Sequence, residues 1–420
     1  MPLSADPLST DVLVIGGGPA GSAVAARLAH AGHDVTLVEK RAEGRHKSCG
    51  DLLSPRAVAE LSRLDIDPMS FGGHAIQGVR MVYRRQRADA PWPEHHDMPD
   101  HAVVIRRDTL DEQLRRRARD AGATVLMGHE ATAPISDRGF VRGAMMTLLD
   151  GTVRNVTARF IVVADGASSR FGRVLGTSRQ RRWPYAIAAR TYFSSPRHRD
   201  AWVETSLGLS DPHGNPVAGY GWVTPMGDGN VNVGVGVLSS YRDIKGLNTL
   251  KLLTAFSEHV AADWGLDPTQ SLKPPTRLRL PIGGSVGPKM GPTFLVVGDA
   301  AGAANPFSGD GIDAALMGGR LAADVLDEAL TTGNSTTLQR YPVVVAEEVE
   351  AYRKVGRLSA RFLGRPAILK PALRLATRSD ATMGAVLRIA TNALRDDNTA
   401  GGAERAYRLA SLAAKFAPSW

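Results

Sequence analysis

Three small groups of residues carry the chemistry that can be read from this chain. The first is Gly16-x-Gly18-x-x-Gly21 in DVLVIGGGPAGSAVAARL. There Gly16 permits a tight turn, Gly18 lets the backbone approach a pyrophosphate, and Gly21 lets a helix pack close to the strand before it. Pro19 and Ala20 open that helix, whose free N–H groups face an anion. The second is Cys49, the only cysteine in 420 residues, beside Gly50 in KSCGDLLSPRA and flanked by Lys47 and Arg56. A thiol near cations has a tunable pKa and can serve as an acid or proton relay. The third is Tyr220 and Trp222 in GYGWVTP, which share one face of a strand with Thr224 by the two-residue period.

The elements that must position these groups are legible around them. Val12 to Gly16 is strand-like, the helical spacing continues through Val24, Leu28 and Ala31, and DVTLVE is a second buried strand. It ends at Glu39, followed by Lys40 and Arg41, 18 residues beyond Gly21. An acid at that point accepts hydrogen bonds from a ribose, so strand, glycines, helix and acid together imply a bound dinucleotide. ARFIVVADGASSRFGRVLG is another buried strand, ending in Asp165-Gly166. GPTFLVVGDAAGAANPFSGDGIDAALMGG ends a strand in Gly298-Asp299, then runs through Pro306, Gly309 and Gly311 into a helix at Ile312. A carboxylate beside a helix N-terminus suits a ribityl chain and a flavin ring edge. Arg107 stands at the start of an amphipathic helix in VVIRRDTLDEQLRRRARDAG. GYGWVTP and VNVGVGV alternate as two strands around a turn at Met226–Asn230, and RMVYRRQ and YAIAARTYFS read as further strands.

The glycine fingerprint with Glu39, Arg107-x-x-Leu110-Asp111, Asp165-Gly166 and Gly298-Asp299 resemble, in this order, the flavoproteins of the para-hydroxybenzoate hydroxylase fold. The resemblance covers about residues 10–330 and implies FAD as cofactor. The Tyr220-x-Trp222-x-Thr224-Pro225 element resembles that of the geranylgeranyl reductase family, with Thr224 where the family usually has Phe, and CGDLLSP resembles its Cys-Gly element near the flavin. Within the family the chain looks most like the actinobacterial reductases that saturate one isoprene double bond of the menaquinone tail. The resemblance implies hydride from the reduced flavin and a proton from a second partner, Cys49 being a candidate donor, with Tyr220 and Trp222 as apolar walls that hold the alkene dry and aligned. Reduction of geranylgeranyl diphosphate or prenyl ether lipids is an alternative, as is aromatic hydroxylation with O₂ and NAD(P)H. A flavin-dependent halogenase is disfavoured, because its aromatic element stands earlier in the chain and comes with an active-site lysine.

The expected fold class is α/β, α+β overall: a Rossmann-like FAD-binding domain (1–75, 103–175 and 276–345), a substrate-binding antiparallel sheet (76–102 and 176–275) and a basic helical region (346–420). Residues 351–420 hold 13 Lys/Arg against four Asp/Glu, so the whole net charge of +9 resides there. Their amphipathic helices, broken near Gly364–Pro366, Pro371 and Asn398–Gly402, suit the surface of an anionic bilayer. No aromatic-basic nucleic-acid module accompanies them. His30, His33, His95, His96 and His101 show no metal-ligand spacing with Cys or acids, so no metal is expected. One cysteine, no export signal and no run of about 18 apolar residues point to a peripheral enzyme on the cytoplasmic side of the membrane. The electron donor, NAD(P)H or a reductase or ferredoxin, is expected to dock transiently, since no second glycine fingerprint is present.

Overall fold

The computed structural model describes residues 8–44, 50–83, 86–363, 379–393 and 402–415, together with residues 365, 368, 371 and 374. Among them, two large sheets carry the chain, one of eight strands and one of seven. The parallel part of the first runs in the order Phe294–Val296, Val153–Val163, Leu8–Ile15, Val35–Glu39 and Thr124–Met127. An antiparallel hairpin, His129–Asp137 and Phe140–Leu148, extends from Val153–Val163. Val12, Leu13, Val14 and Val162 are fully buried because both faces of these strands are covered, which is why they read as unbroken apolar runs. Helices Pro19–His30, Arg107–Asp120 and Ile312–Thr332 pack on one face through Val24, Leu28, Leu110, Leu114, Leu316 and Leu326.

The second sheet has the order Thr276–Pro281, Tyr185–Ser194, Asn230–Leu238, Gly219–Pro225, Trp202–Leu207, Gly78–Tyr83 and Gln86–Pro91. The hairpin expected from GYGWVTP and VNVGVGV is present, with Pro225 opposite Val231 and Trp222 opposite Gly234. Helix Thr249–Trp264 covers one face of this sheet with Leu252, Phe256 and Trp264. Its Phe256 ring lies where a side chain at residue 221 would project, 2.4 Å from the position of a Cβ. Gly221 therefore faces the helix, and Tyr220 and Trp222 face the other way. Residues 276–281, expected to open the last nucleotide-binding segment, instead pair with Tyr185–Ser194 as the edge of the substrate sheet. A small sheet of Leu52–Leu53, Ala102–Val104 and His74–Ile76 joins the two: Leu53 and Val103 belong to the core under the first sheet, and Ile76, Ala102 and Val104 pack with Val79, Met81 and Tyr192 of the second.

The C-terminal region is helical at Arg340–Leu363, Asp380–Ala390 and Gly402–Lys415. Asp380–Ala390 is a cap on the substrate sheet: Met383 and Leu387 are buried against Met81, Ala90 and Trp92. On Gly402–Lys415, Leu409 and Leu412 are exposed. Among the described residues no helix is long and apolar enough to cross a membrane.

Candidate active site

The nucleotide cradle follows from two glycines. Gly16 has φ +112°, and a Cβ there would lie 2.4 Å from the Ala164 carbonyl oxygen. A Cβ on Gly21 would lie 2.0 Å from the carbonyl oxygen of Gly16, so helix and turn can touch only without one. Gly18 is the N-cap and supplies no side-chain bond, which leaves the first amides of the helix open to an anion. Buried Glu39 accepts the Gly17 amide at 3.1 Å and the Arg41 amide at 3.1 Å, so its carboxylate is fixed at the end of its strand. Arg115, which sequence periodicity leaves as one of several helix arginines, is buried, donates to the Gly17 carbonyl at 3.2 Å and is held by Glu112 at 2.6 Å.

A cleft of about 350 Å³ opens in front of this turn. Its walls come from Gly18, Pro19 and Ala20, from Arg107, from Ala164 and Gly166, and from Asp299, Gly311 and Ile312. Four segments distant in sequence thus converge as the motif order implies. The open helix end, the cramped glycine turn and the prepositioned Glu39 carboxylate fit the pyrophosphate and ribose of FAD. Arg107 is buried and fixed by Asp111 at 2.8 Å. The Asp165 carboxyl accepts the Phe171 amide at 3.1 Å and bonds Ser169, and burial pushes its pKa up; its flanking residues, rather than it, line the cleft. Lys40 is exposed, 3.9 Å from Glu130, and Gly50 is exposed; Cys49 lies outside the described residues. Gly298 is buried beneath the cleft with φ +60°. Pro306 lines a separate cavity.

Tyr220 and Trp222 form one aromatic surface, their ring centroids 5.8 Å apart. The cross-strand partners of these rings are Gly236 and Gly234. A Cβ on Gly234 would lie 2.1 Å from Trp222 Cζ2, so Gly234 is what lets the indole lie over the neighbouring strand, whereas a Cβ on Gly236 would meet the Tyr220 ring at an ordinary 3.5 Å. The Tyr220 hydroxyl donates to the Ser308 carbonyl at 2.5 Å, which ties the sheet to the loop between Asp299 and Ile312. A Cβ on Gly309 would lie 3.7 Å from that hydroxyl. Burial, then the nearby Asp310, push the Tyr220 phenol to about 12, so it stays protonated and acts as a donor. Tyr220→Phe removes the donor and leaves the carbonyl unsatisfied, at a net cost of about 1 kcal/mol. The expected outcome is full flavin content with turnover reduced about fivefold, read from flavin absorbance and steady-state rates; unchanged turnover would show the tether to be idle.

Trp222 Nε1 donates to Asn232 Oδ1 at 3.2 Å, and Asn232 Nδ2 donates to Asp51 at 2.7 Å. Asp51, two residues after Cys49, is fully buried. It also accepts from Arg190 at 3.1 Å, from the Tyr192 hydroxyl at 2.8 Å and from the Arg107 amide at 3.3 Å. One carboxylate thus joins the cysteine segment, the arginine helix and the substrate sheet. Asp310 is the acid that acts on the Tyr220 phenol. Although part of its surface stays accessible, it is surrounded by protein, and burial, then the like charge of Asp313, raise its pKa to about 7. Its carboxyl accepts the Ile312 amide at 3.1 Å, with Ser54 bonded alongside.

Among the described residues one group could hold a metal, which spacing does not suggest. His95, His96 and Asp97 bring ligand atoms within 4.8 Å of one another on the stretch between Gln86–Pro91 and Ala102–Val104, where His96 and Asp97 are exposed.

The comparisons agree with this geometry. Residues 9–349 match the model of the FAD binding domain family. A menaquinone reductase of Mycobacterium tuberculosis is 37% identical over 391 residues, covering 93% of both chains. A digeranylgeranylglycerophospholipid reductase of Methanopyrus kandleri is 32% identical over 341 residues, covering 79% of this chain and 84% of the other. The crystal structure of a geranylgeranyl bacteriochlorophyll reductase-like protein from Thermoplasma acidophilum superposes with a TM-score of 0.75 at 24% identity, covering 97% of this chain and 96% of that one, a likeness of fold. The chain belongs to the geranylgeranyl reductase family of FAD-dependent oxidoreductases.

Proposed function

We propose that the protein saturates a C=C bond in the isoprenyl side chain of a lipid, with menaquinone as the substrate. The observation that carries this reading is the aromatic surface of Tyr220 and Trp222, on one face of the sheet with their rings tilted 45° to each other and tied to the loop that enters the helix at Ile312. The names of the relatives along nearly the whole chain support it. FAD, when bound and reduced, supplies a hydride.

The rest falls to the protein. An isoprene double bond has no carbonyl to polarise it, so it must be held dry and aligned, and a proton must be delivered to it. The ring faces of Tyr220 and Trp222 wall the chain and stabilise positive charge as protonation proceeds. Two groups are candidates to deliver the proton: Asp310, an acid still half protonated near neutral pH beside Tyr220, and Cys49, which lies outside the described residues, two positions before Asp51. In this reading NAD(P)H or a reduced ferredoxin-type protein refills the flavin. Gly402–Lys415 rests on the cytoplasmic face of the membrane through Leu409 and Leu412, with Arg405 and Arg408 beside them. Each basic residue near an anionic surface contributes about 1 kcal/mol.

The test supplies menaquinone in neutral and in phosphatidylglycerol liposomes to the anaerobically reduced protein. Mass spectrometry is expected to show a gain of two hydrogens on the tail, formed faster on the anionic liposomes. A menaquinone that stays unchanged, with NAD(P)H oxidation driven instead by a phenol and O₂, would replace this reading with that of an aromatic hydroxylase. Equal rates on both liposomes would remove the electrostatic part of the membrane contact.

A further inference from the structure

Outside its C-terminal region the chain carries no net charge, yet one edge of the substrate sheet is crowded with arginines. Thr276–Pro281 is that edge, the last strand of the sheet beside Tyr185–Ser194. Its Arg277 and Arg279 are exposed, and so are Arg181 and Arg182 on the stretch that leads into Tyr185. The centroid of the Tyr185 ring has the Arg279 guanidinium at 3.9 Å and that of Arg179 at 4.9 Å. Arg179 is fixed further by the carbonyls of Gln180 and Trp183, at 3.0 and 2.7 Å. Helix Arg340–Leu363 joins the group. Its Arg353 turns inward and is buried, but Arg357 stacks on Trp183 at 4.0 Å, and Arg361 donates to the Arg182 carbonyl at 3.1 Å. Burial, then the like charge of Arg279, push the pKa of Arg179 down, with no carboxylate acting against them among the described residues. Glu350 holds Arg357 at 2.7 Å. Among the described residues no ion pair joins Arg179, Arg181, Arg182, Arg277 or Arg279 to an acid.

Charge on an edge strand commonly blocks pairing with a second chain. That accounts for Arg277 and Arg279, but not for Arg179, Arg181 and Arg182, which stand on a different segment. Stacking occupies the face of a guanidinium and leaves its in-plane donors for the oxygens of a phosphate diester. The opposite face of the same edge is apolar. Leu278 lies opposite Ala188, Ala188 opposite Gly236, and Gly236 opposite Tyr220. Directly opposed residues share a face, so this row of small and apolar residues runs from the aromatic surface to the arginine edge, three strand spacings or about 14 Å. Leu278, Ala188 and Tyr220 are each partly accessible. Alternation puts Arg277 and Arg279 on the other face. Phosphate-binding groups on one face and an apolar row on the other match a phospholipid, charged at the head and apolar in the tail. An acidic protein would have no use for the row.

We propose that the edge Thr276–Pro281, with Arg179, Arg181, Arg182 and Arg279, docks on anionic phospholipid headgroups, and that the row of Leu278, Ala188 and Gly236 is the way by which an isoprenyl chain reaches Tyr220. The entry path rests on the reading of the chain as an isoprenyl reductase; the docking surface does not. It adds a sheet-borne contact to that of Gly402–Lys415.

Sedimentation of the FAD-loaded full chain with phosphatidylglycerol vesicles tests the docking surface without any turnover. Arg182→Glu/Arg279→Glu is expected to bind at least about 30-fold more weakly than the wild type, the effect of two lost charges, while Arg182→Lys/Arg279→Lys stays close to the wild type. Leu278→Gln, which puts an amide on the row, is expected to keep vesicle binding and to slow single-turnover reduction of vesicle-borne menaquinone at least about fivefold. A double glutamate variant that binds the vesicles like the wild type overturns the docking surface. If that variant instead slows flavin reduction by a reduced ferredoxin-type protein, the arginines belong to the electron donor. A Leu278→Gln protein that matches the wild-type rate overturns the entry path. A wild type that binds through these arginines but reduces no menaquinone would sink the reductase reading and the entry path with it, and uphold the docking surface.

Discussion

Asp51→Ala is expected to lower the stability of the protein by about 3–5 kcal/mol, because it removes one member of a buried ion pair, the carboxylate that Arg190 bonds at 3.1 Å. Three further donors, Tyr192 hydroxyl, Asn232 amide and Arg107 amide, lose their acceptor in the same step. Asp51→Asn is the more informative variant. It keeps the volume but not the charge: Arg190, Tyr192 and Asn232 all donate to one carboxylate oxygen, which the amide oxygen replaces as a weaker acceptor, while the NH₂ group meets the Arg107 amide where an acceptor is needed. Asn232, held by a neutral oxygen in place of a carboxylate, is fixed less firmly, and with it the contact that sets the Trp222 indole. Flavin content is expected to be retained, since Gly16, Gly21 and Glu39 are untouched. Turnover of the prenyl substrate is expected to fall about 100-fold, equivalent to about 2.7 kcal/mol of barrier. Denaturant unfolding of the alanine variant and single-turnover reoxidation of the asparagine variant measure the two effects. If both variants match the wild type, Asp51 organises nothing, and the joint between cysteine segment and sheet must lie elsewhere.

The same carboxylate shows where sequence reading stops. The glycine fingerprint and Glu39 were legible because every partner in the turn lies within one strand–turn–helix unit. The aromatic hairpin was legible for a related reason: strand alternation fixes which face Tyr220 and Trp222 share. Gly234, opposite Trp222, was a further signal, since a glycine facing an aromatic marks a ring lying over the neighbouring strand. Asp51 gave no such sign. Its acceptor role is set by residues 139, 141 and 181 positions away, and no local period encodes those contacts. Arg115 and Arg353 were hidden differently. Each sits among other arginines on an amphipathic helix, and composition alone cannot say which one turns inward. Residues 276–281 went to the neighbouring sheet because an edge strand of mixed polarity, TRLRLP, matches either side equally well until its partner is known. Asp310, in SGDG, has the composition of a turn, and only burial beside Asp313 gives it an acid's behaviour.

That behaviour sets the pH dependence. With its pKa raised to about 7, Asp310 binds its proton more tightly in the folded protein than in the unfolded chain, where it titrates near 4. The folded state therefore binds more protons between these values. The stabilisation is complete below about pH 4 and is lost as pH rises towards 7, beyond which it falls no further through this group. Asp310→Asn removes the titration and is expected to flatten that part of the stability profile. Catalysis follows the same proton in the other direction of argument. If the neutral acid beside Tyr220 donates to the alkene, the single-turnover rate is level below pH 7 and falls about tenfold per unit above it. Asparagine at this position retains the Ile312 amide contact but has no proton to give, so the rate is expected to drop at least 100-fold at pH 6.5 and to lose its dependence on pH. The difference between wild type and variant should then shrink steadily as pH is raised. A variant that keeps both the rate and the fall above pH 7 would pass the role to another group, with Cys49, two residues before the Asp51 anchor, next in line; Cys49→Ser would then be the protein to measure over the same range.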